Sequence, residues 1–530
     1  MKYGSLISWN ALGSKSRLYS CSWKVALCMA VVGVNADCLS DPPSTSPVLA
    51  GHVLAHQSGP KIVYCHYMHA YAAGYMWDKA SNYRSTALRT NSEDKVGWPE
   101  NEFVERTWWS ARMAAFAHSG DAGMAEDFKL AHRAGLDAFA LLINEKHLPQ
   151  SAFSAAINAV AKMAETDSIK VIPDMWGAPA TPEGWTQYGT TIKAFMDQHP
   201  GAFLTYQGKF VISITVPYAG PAMQWQNFSR FFDAMGGTSK YYIIADTTTG
   251  TAAINSDFAR HVNAYTYWTA TWGWGDKDPF GVTGVARSNG IAQVASVHPA
   301  YFGGRKGAES GAECLGSCTF TDQWKNAILN GSPFTEVQTW NDFSEDHCIT
   351  ETNYRGDALI DLNNYWVQYY KQGFPPQIPK DKLFLFHHRQ KVNPELSEAT
   401  IHTQNGDWHH TPFVDCVSVV SMLTRPGEVA ARVGRTVWRI QAPAGYHEWL
   451  IYVPDPVNSK NAAKMAYTRS DSYPVSTAER TVTVVREMPY GEVEAVVARG
   501  GREEVKLNSK YNIDGKAKWQ DLSLVADESF

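Results

Sequence analysis

Residues 120 to 143 read GDAGMAEDFKLAHRAGLDAFALLI, and this stretch decides the fold. Its first part, 120–134, spaces apolar side chains as one face of a helix, and Gly135 closes that helix as a C-cap does. The chain then passes within two residues into 137–143, a short apolar run of strand length. A helix handed directly to a buried strand is half of a βα repeat. The same texture extends both ways. Short strand-forming runs occupy 62–68, 137–143, 170–175, 209–215, 241–246, 262–268, 293–298 and 336–340, with helical spacing at 150–165, 184–198, 221–235 and 320–329. Eight runs alternating with helices predict an α/β chain folded as a (β/α)8 TIM barrel over 61–378. After about residue 380 the pattern turns to alternating segments at 382–387, 436–441, 448–453 and 480–486, separated by Pro, Gly and Asn turns. That texture predicts a smaller all-β sandwich over 379–530.

The 530 residues suffice for both parts. A net charge of −5 on this length offers no footprint for nucleic acid or an anionic membrane, so a neutral partner is expected. The 19 Trp and 25 Tyr supply flat amphipathic rings that suit sugar faces, although any one of them fits equally well as core filling. Residues 25–34 (VALCMAVVGV) are too short to span a bilayer and follow Lys15, Arg17 and Lys24. They predict a secretory signal peptide over 1–36, with a linker or arm at 37–60 rich in Pro, Ser and Gly. A mis-assigned start or a membrane anchor is the alternative. Export leaves Cys38, Cys65, Cys314, Cys318, Cys348 and Cys416, an even set that permits disulfides. Cys314 and Cys318 favour a local disulfide over half a zinc site, because no second Cys or His pair lies nearby. Cys65 in the first strand and Cys348 after the eighth lie on neighbouring strands, so they are either close enough to bridge across the barrel seam or simply two small buried residues.

Chemistry in such a barrel belongs at the C-terminal strand ends, where the βα loops converge. Those ends supply His66 and Tyr67, Asn144 and Glu145, Asp174 and Trp176, Asp246, Tyr267 and Trp268, His298 and Tyr301, then Trp340, Asn341, Asp342 and Glu345, with His347 two residues on. Carboxylates, amides, imidazoles and aromatics without a phosphate loop or nucleophile elbow describe a sugar cleft. No cofactor or metal is called for. Glycoside hydrolysis needs one carboxyl as general acid and another as base or nucleophile, and Asp342 with Glu345 is the strongest pair. An extended loop would separate the two by up to roughly 10 Å, compatible with inversion, whereas a helical turn would bring them nearer a retaining distance. The plain structural alternative is that Asp342 caps the next segment and Glu345 is solvated.

The run Glu336-Val337-Gln338-Thr339-Trp340-Asn341-Asp342-Phe343-Ser344-Glu345-Asp346-His347 resembles the motif of glycoside hydrolase family 71, the fungal endo-α-1,3-glucanases called mutanases. The segment Lys61-Ile62-Val63-Tyr64-Cys65-His66-Tyr67-Met68 is similar to that family's first strand. Residues 131–143 (AHRAGLDAFALLI) are similar to its helix and second strand. The resemblance runs from about residue 61 to the C-terminus. It implies a barrel plus sandwich, inverting hydrolysis of α-1,3-glucosidic bonds in cell-wall glucan, and a catalytic pair on Asp342 and Glu345. A monomer, secreted by way of the leader, is expected. The chain departs from the family where Leu142 takes the place of a common Asn, with Asn144 two residues on. It departs again where Asp174-Met175-Trp176-Gly177 ends the third strand. A non-catalytic polysaccharide-binding wall protein and a hydrolase of another α-linked glycan are the competing functions.

Overall fold

The structure is a computed structural model that describes residues 59–68, 121–144, 151–176, 179–216, 225–247, 261–266, 290–303, 310–312, 315–342, 347–351, 355–388, 416–433, 436–452, 482–484, 492–510 and 524–528. The signal peptide expected at 1–36, Cys38, Cys314, Glu145, Tyr267, Trp268 and Glu345 lie outside them. Among the described residues no helix is long and apolar enough to cross a membrane.

Eight parallel strands close into a barrel: β1 (Ile62–Tyr67), β2 (Ala138–Asn144), β3 (Lys170–Trp176), β4 (Lys209–Val216), β5 (Tyr241–Thr247), β6 (Ala264–Thr266), β7 (Ala292–Val297) and β8 (Phe334–Val337). They pair in sequence order, and β8 returns to β1 with Ile62 opposite Phe334 and Tyr64 opposite Glu336. Each run expected from the sequence overlaps one of these strands. The widest shift is at β8, which begins at Phe334 and ends at Val337. Beyond it the Gln338 N–H still donates to Val297 O and the Trp340 N–H to His66 O, so the segment keeps its place between β7 and β1.

Around the barrel stand α1 (Asp121–Ala134), α2 (Ser151–Thr166), α3 (Pro182–Gln198), α4 (Trp225–Ala234), α5 (Cys318–Asn330) and α6 (Ala358–Gln372). Gly135 ends α1 at φ +80°, its N–H bonded to His132 O and that of Leu136 to Ala131 O, the paired closure that a left-handed residue permits. Helix α6 is absent from the sequence-level expectation. Asn363, Asn364, Tyr365, Tyr369 and Tyr370 give it weak intrinsic helicity, and burial of its Leu, Tyr and Trp side chains holds it instead. Helices α3 and α4 meet at Gly189, where an added Cβ would lie 2.3 Å from Phe231 O. Gly189→Ala is therefore expected to destabilise the protein by about 1–3 kcal/mol despite Ala's better helix propensity. Chemical denaturation should show the midpoint falling; an unchanged or raised midpoint would mean the two helices can separate freely.

The barrel interior shows how sequence sets its chemistry. Side chains alternate between the two faces of a strand, so residues two apart point the same way. Ile62, Tyr64, Ala138, Ala140, Ile172, Val211, Tyr242, Ile244, Ala264, Ala292, Val294 and Phe334 form one apolar cluster, joined by Leu204 and Tyr206 from the flap before β4. One step further along the inward positions become His66, Asp174, Ser213, Thr266, Ser296 and Glu336, all buried. The inside changes from an apolar floor to a polar layer beneath the mouth.

After α6 the chain forms two small, largely antiparallel sheets. One holds Lys382–His388, Cys416–Leu423, Gly445–Tyr452, Val482–Val484 and Leu524–Glu528; the other holds Gly427–Val433, Thr436–Ala442, Glu492–Arg499 and Arg502–Lys510. Leu383, Leu385, Val417 and Val419 of the first share an apolar core with Val429, Ala431, Ala495 and Val497 of the second, as a sandwich requires. The barrel grips this unit through polar and aromatic contacts. Ser317 Oγ donates to Glu448 Oε1 at 2.6 Å, and Tyr446 stacks on Tyr365 of α6 with centroids 5.0 Å apart.

The seam disulfide is not formed. Cys65 and Cys348 are both wholly buried and not disulfide-bonded. Burial, then Glu336 and Cys348, push the Cys65 thiol well above its ordinary range, while Cys348 Sγ accepts a hydrogen bond from Arg355 Nη2 at 3.3 Å. The β1–β8 ladder already closes the seam. Cys318 is buried beside Cys416 in a small apolar cluster with Leu315 and Leu450, and its expected partner Cys314 lies outside the described residues.

Candidate active site

The polar layer gathers around His66. Its Nδ1 lies 3.2 Å from Asp174 Oδ2 and 3.9 Å from Glu336 Oε1, the nearer approach being out of line for a hydrogen bond. Glu336 Oε2 accepts from Thr266 Oγ1 at 3.1 Å and from Gln338 Nε2 at 3.3 Å. Residues from β1, β3, β6 and β8 thus meet inside the barrel because each occupies the first inward position above the apolar floor. Burial lowers the His66 pKa, and the negative Asp174 only partly opposes it. The imidazole is neutral at ordinary pH.

Beyond β8 the chain folds back on itself. The Thr339 N–H donates to His347 O at 3.0 Å and the His347 N–H to Asp342 O at 3.1 Å, so Asp342 and His347 face each other as an antiparallel bridge. Thr339 Oγ1 also donates to His347 O and accepts from the Asp342 N–H at 2.8 Å. Asp342 is nearly buried, its backbone fixed on both sides. Residues 343–346 between the bridged pair, Glu345 among them, lie outside the described residues.

Two further histidines border this turn. His298 and His347 have ring centroids 5.7 Å apart, and Tyr301 stands edge-on to His347 at 6.0 Å. Burial drives the His298 pKa down to about 3, and drives His347 well below its ordinary value with His298, His66 and Arg355 adding to the effect. Both rings are neutral, and they pack edge to face with one another, His347 also with Tyr301. Gln323 of α5 steadies this wall by accepting from the His298 N–H at 2.8 Å.

The structure separates the sequence-derived candidates. His66 and Asp174 lie in the polar layer; Asp342, His347, His298 and Tyr301 form the adjoining wall. Tyr67 and Trp340 stand elsewhere. Both are wholly buried, and both donate to Asp127 of α1, Tyr67 Oη at 2.9 Å and Trp340 Nε1 at 3.1 Å. Tyr67 follows the inward His66 and so faces the helices, where it packs on Phe139 at 4.7 Å; Trp340 meets the same ring at 5.3 Å. They brace the barrel wall, out of reach of anything in the mouth. Asn341 acts as a clasp, its Oδ1 accepting from the Met68 N–H at 2.8 Å and its Nδ2 donating to Met68 O at 3.2 Å. Trp176 ends β3 with 41% of its surface exposed, while Trp185, Trp324, Trp340 and Trp366 are buried. Asn144 ends β2. Glu336, Thr266 and Gln338 were not among the strand-end candidates. Counting inward positions by twos from Phe334 and Ala264 finds all three. Among the described residues no group of three or more His, Cys, Asp or Glu is arranged to hold a metal ion.

Comparison with known proteins adds a family. Residues 113–454 match the model of glycosyl hydrolase family 71. A glucan endo-1,3-alpha-glucosidase of Schizosaccharomyces pombe, agn1, is 24% identical over 358 residues, covering 62% of this chain and 80% of that protein. Among solved structures, the GH99 endo-alpha-mannosidase from Bacteroides thetaiotaomicron aligns at a TM-score of 0.38 and 15% identity, over 48% of this chain and 80% of its own. A GH2 member from Bacteroides cellulosilyticus aligns at 0.40 and 12%, over 85% of this chain and 46% of its own. Neither of these two carries weight for substrate or mechanism.

Proposed function

This chain belongs to glycosyl hydrolase family 71 and is a glycoside hydrolase, and from that premise we propose that it cleaves α-1,3-glucosidic bonds of cell-wall glucan with inversion, using Asp342 and Glu345. The observation that carries the reading is the turn after β8. The family-like Trp340-Asn341-Asp342 segment leaves the barrel at the strand end where such sites form, and Asp342 is locked there by Thr339 and His347. In this reading Asp342 is the base that activates a water, and Glu345 is the acid that protonates the leaving oxygen. Trp176, with its exposed indole at the end of β3, offers a flat face for a glucosyl ring. The substrate is expected to be met outside the cell, as the signal peptide expected at 1–36 would require, and the enzyme to act as a monomer.

A panel of polysaccharides tests the substrate. Reducing ends should be released from insoluble α-1,3-glucan, and much less from α-1,4-glucan, α-mannan or β-1,3-glucan. Faster release from α-mannan or α-1,4-glucan would move the assignment to another α-linked glycan. Tight retention on α-1,3-glucan with no release would make the chain a wall-binding protein.

A further inference from the structure

Asp127 is a carboxyl buried on α1, on the helix side of the barrel wall, and its two oxygens serve two different strand ends. Oδ2 accepts from Tyr67 Oη at 2.9 Å, at the end of β1, and Oδ1 accepts from Trp340 Nε1 at 3.1 Å, in the segment after β8. These two segments are neighbours across the seam, but their regular ladder stops with Val337 opposite Cys65. Above that level the Trp340 N–H still reaches His66 O at 2.7 Å, and the Asn341 side chain clasps Met68. Asp127 adds a tie at the same height from the helix side. Trp340 is thereby fixed at three points: its N–H, its carbonyl, which accepts from the Thr350 N–H at 3.1 Å, and its indole, which also meets Phe139 edge-on at 5.3 Å. Asp342 follows two residues later. An indole N–H can only donate, so once buried it needs an acceptor; without one the ring must shift or leave its donor unpaired.

We propose that Asp127 is a positioning residue for the reaction: it holds the Trp340 indole against the end of β1 and so sets where the turn after β8 carries Asp342. The proposal rests on the reading that Asp342 is a catalytic carboxyl. Asp127 acts through Trp340, from behind the wall. Reaction rates fall steeply when a reacting group is displaced by as little as about 1 Å, and a rigid support behind that group guards the distance. The two tied side chains differ in kind. A phenol both donates and accepts, so Tyr67 adapts to a changed partner; the indole of Trp340 does not.

That difference supplies the test, run on the full-length protein with a soluble α-1,3-gluco-oligosaccharide. Asp127→Asn keeps one acceptor for the indole, and the Tyr67 hydroxyl can turn to accept from the amide N–H. Its kcat should stay within about fivefold of wild type. Asp127→Ala withdraws the acceptor, and its kcat per folded enzyme should fall about a hundredfold while KM changes by less than about threefold. The folded fraction is taken from the thermal unfolding curve at the assay temperature. A kcat within about threefold of wild type in the Ala variant overturns the proposal. An equal loss in Asn and Ala overturns it as well, since the charge and not the acceptor would then matter. So does a loss of activity that merely tracks the folded fraction. Should Asp127→Ala not fold, Trp340→Phe removes the same hydrogen bond from its other side, with the same loss expected and an unchanged kcat overturning the proposal. Asp342→Asn assayed alongside separates the two readings. If it stays active while Asp127→Ala has lost turnover, Asp342 leaves the mechanism and the support by Asp127 stands. If α-1,3-glucan is not cleaved at all, the substrate reading fails and the same variants are compared on whichever polysaccharide of the panel is cleaved.

Discussion

Asp342→Asn and Glu345→Gln each yield a folded protein that still binds α-1,3-glucan and hydrolyses it about 10²–10⁴ times more slowly, the usual worth of a positioned proton-transfer group. For Asp342 the structure makes this a clean experiment. The contacts that hold its backbone are main-chain groups meeting Thr339 Oγ1 and the His347 N–H. An amide of the same shape leaves both in place and cannot take a proton. Circular dichroism and pull-down on insoluble glucan establish that fold and binding survive; initial rates of reducing-end release give kcat. A variant that keeps more than about a tenth of wild-type turnover has lost no general acid or base, and that carboxyl would have to be removed from the mechanism. Thr339→Val is the informative companion. It leaves both carboxyls intact and removes the hydroxyl that joins Asp342 to His347, so slower turnover there measures what holding the turn contributes.

Much of this was legible in the sequence, for reasons that name themselves in particular residues. The eight strands were legible because most of their described side chains are buried on both faces and so read as apolar runs, as in 138–143 and 241–245. The helix-to-strand passage at 131–138 was legible because Gly135 must take a left-handed conformation there. Position at a strand end found His66, Asp174 and Asp342, but it also admitted Tyr67 and Trp340. Strand end says how high a residue sits; parity turns Tyr67 away from the mouth, whereas Trp340 shares the parity of Glu336 and Gln338 and reaches Asp127 and Phe139 only because the chain folds back after β8. Glu336 shows the converse. It lies one inward step below the strand end, in a run that reads as plain β-strand, and its setting depends on Thr266 and His66 arriving from two other strands, with Gln338 two residues on. Helix α6 was not legible because its stability comes from aromatic side chains packed between barrel and sandwich, such as Tyr365 and Trp366 against Tyr446, a tertiary effect without local signal. The seam cysteines stayed undecided because neighbouring strands bring thiols close whether or not they bond.

Hydrolysis of an α-1,3-glucan should release β-configured reducing ends first. If Asp342 and Glu345 stand far enough apart to hold a water between the base and the sugar, a single displacement strikes the anomeric carbon from the face opposite the leaving oxygen, and one inversion follows. The roughly 6.5–9.5 Å this needs lies within the span of the three residues from 342 to 345 in an extended course, about 10 Å at most. A helical turn there would bring the β-carbons to about 5–6 Å, where the second carboxylate attacks directly and two inversions restore the α-configuration. The bridge between Asp342 and His347 fixes the start and end of this turn without deciding its course. Stereochemistry therefore reads the distance that matters. Proton NMR over the first minutes of reaction on a soluble α-1,3-gluco-oligosaccharide resolves the two anomers before mutarotation mixes them. Early excess of the β-anomer shows a single displacement by water, the outcome expected of Asp342 and Glu345 at an inverting separation. Early excess of the α-anomer identifies a covalent glycosyl-enzyme intermediate, and with it the carboxyl separation of a retaining site.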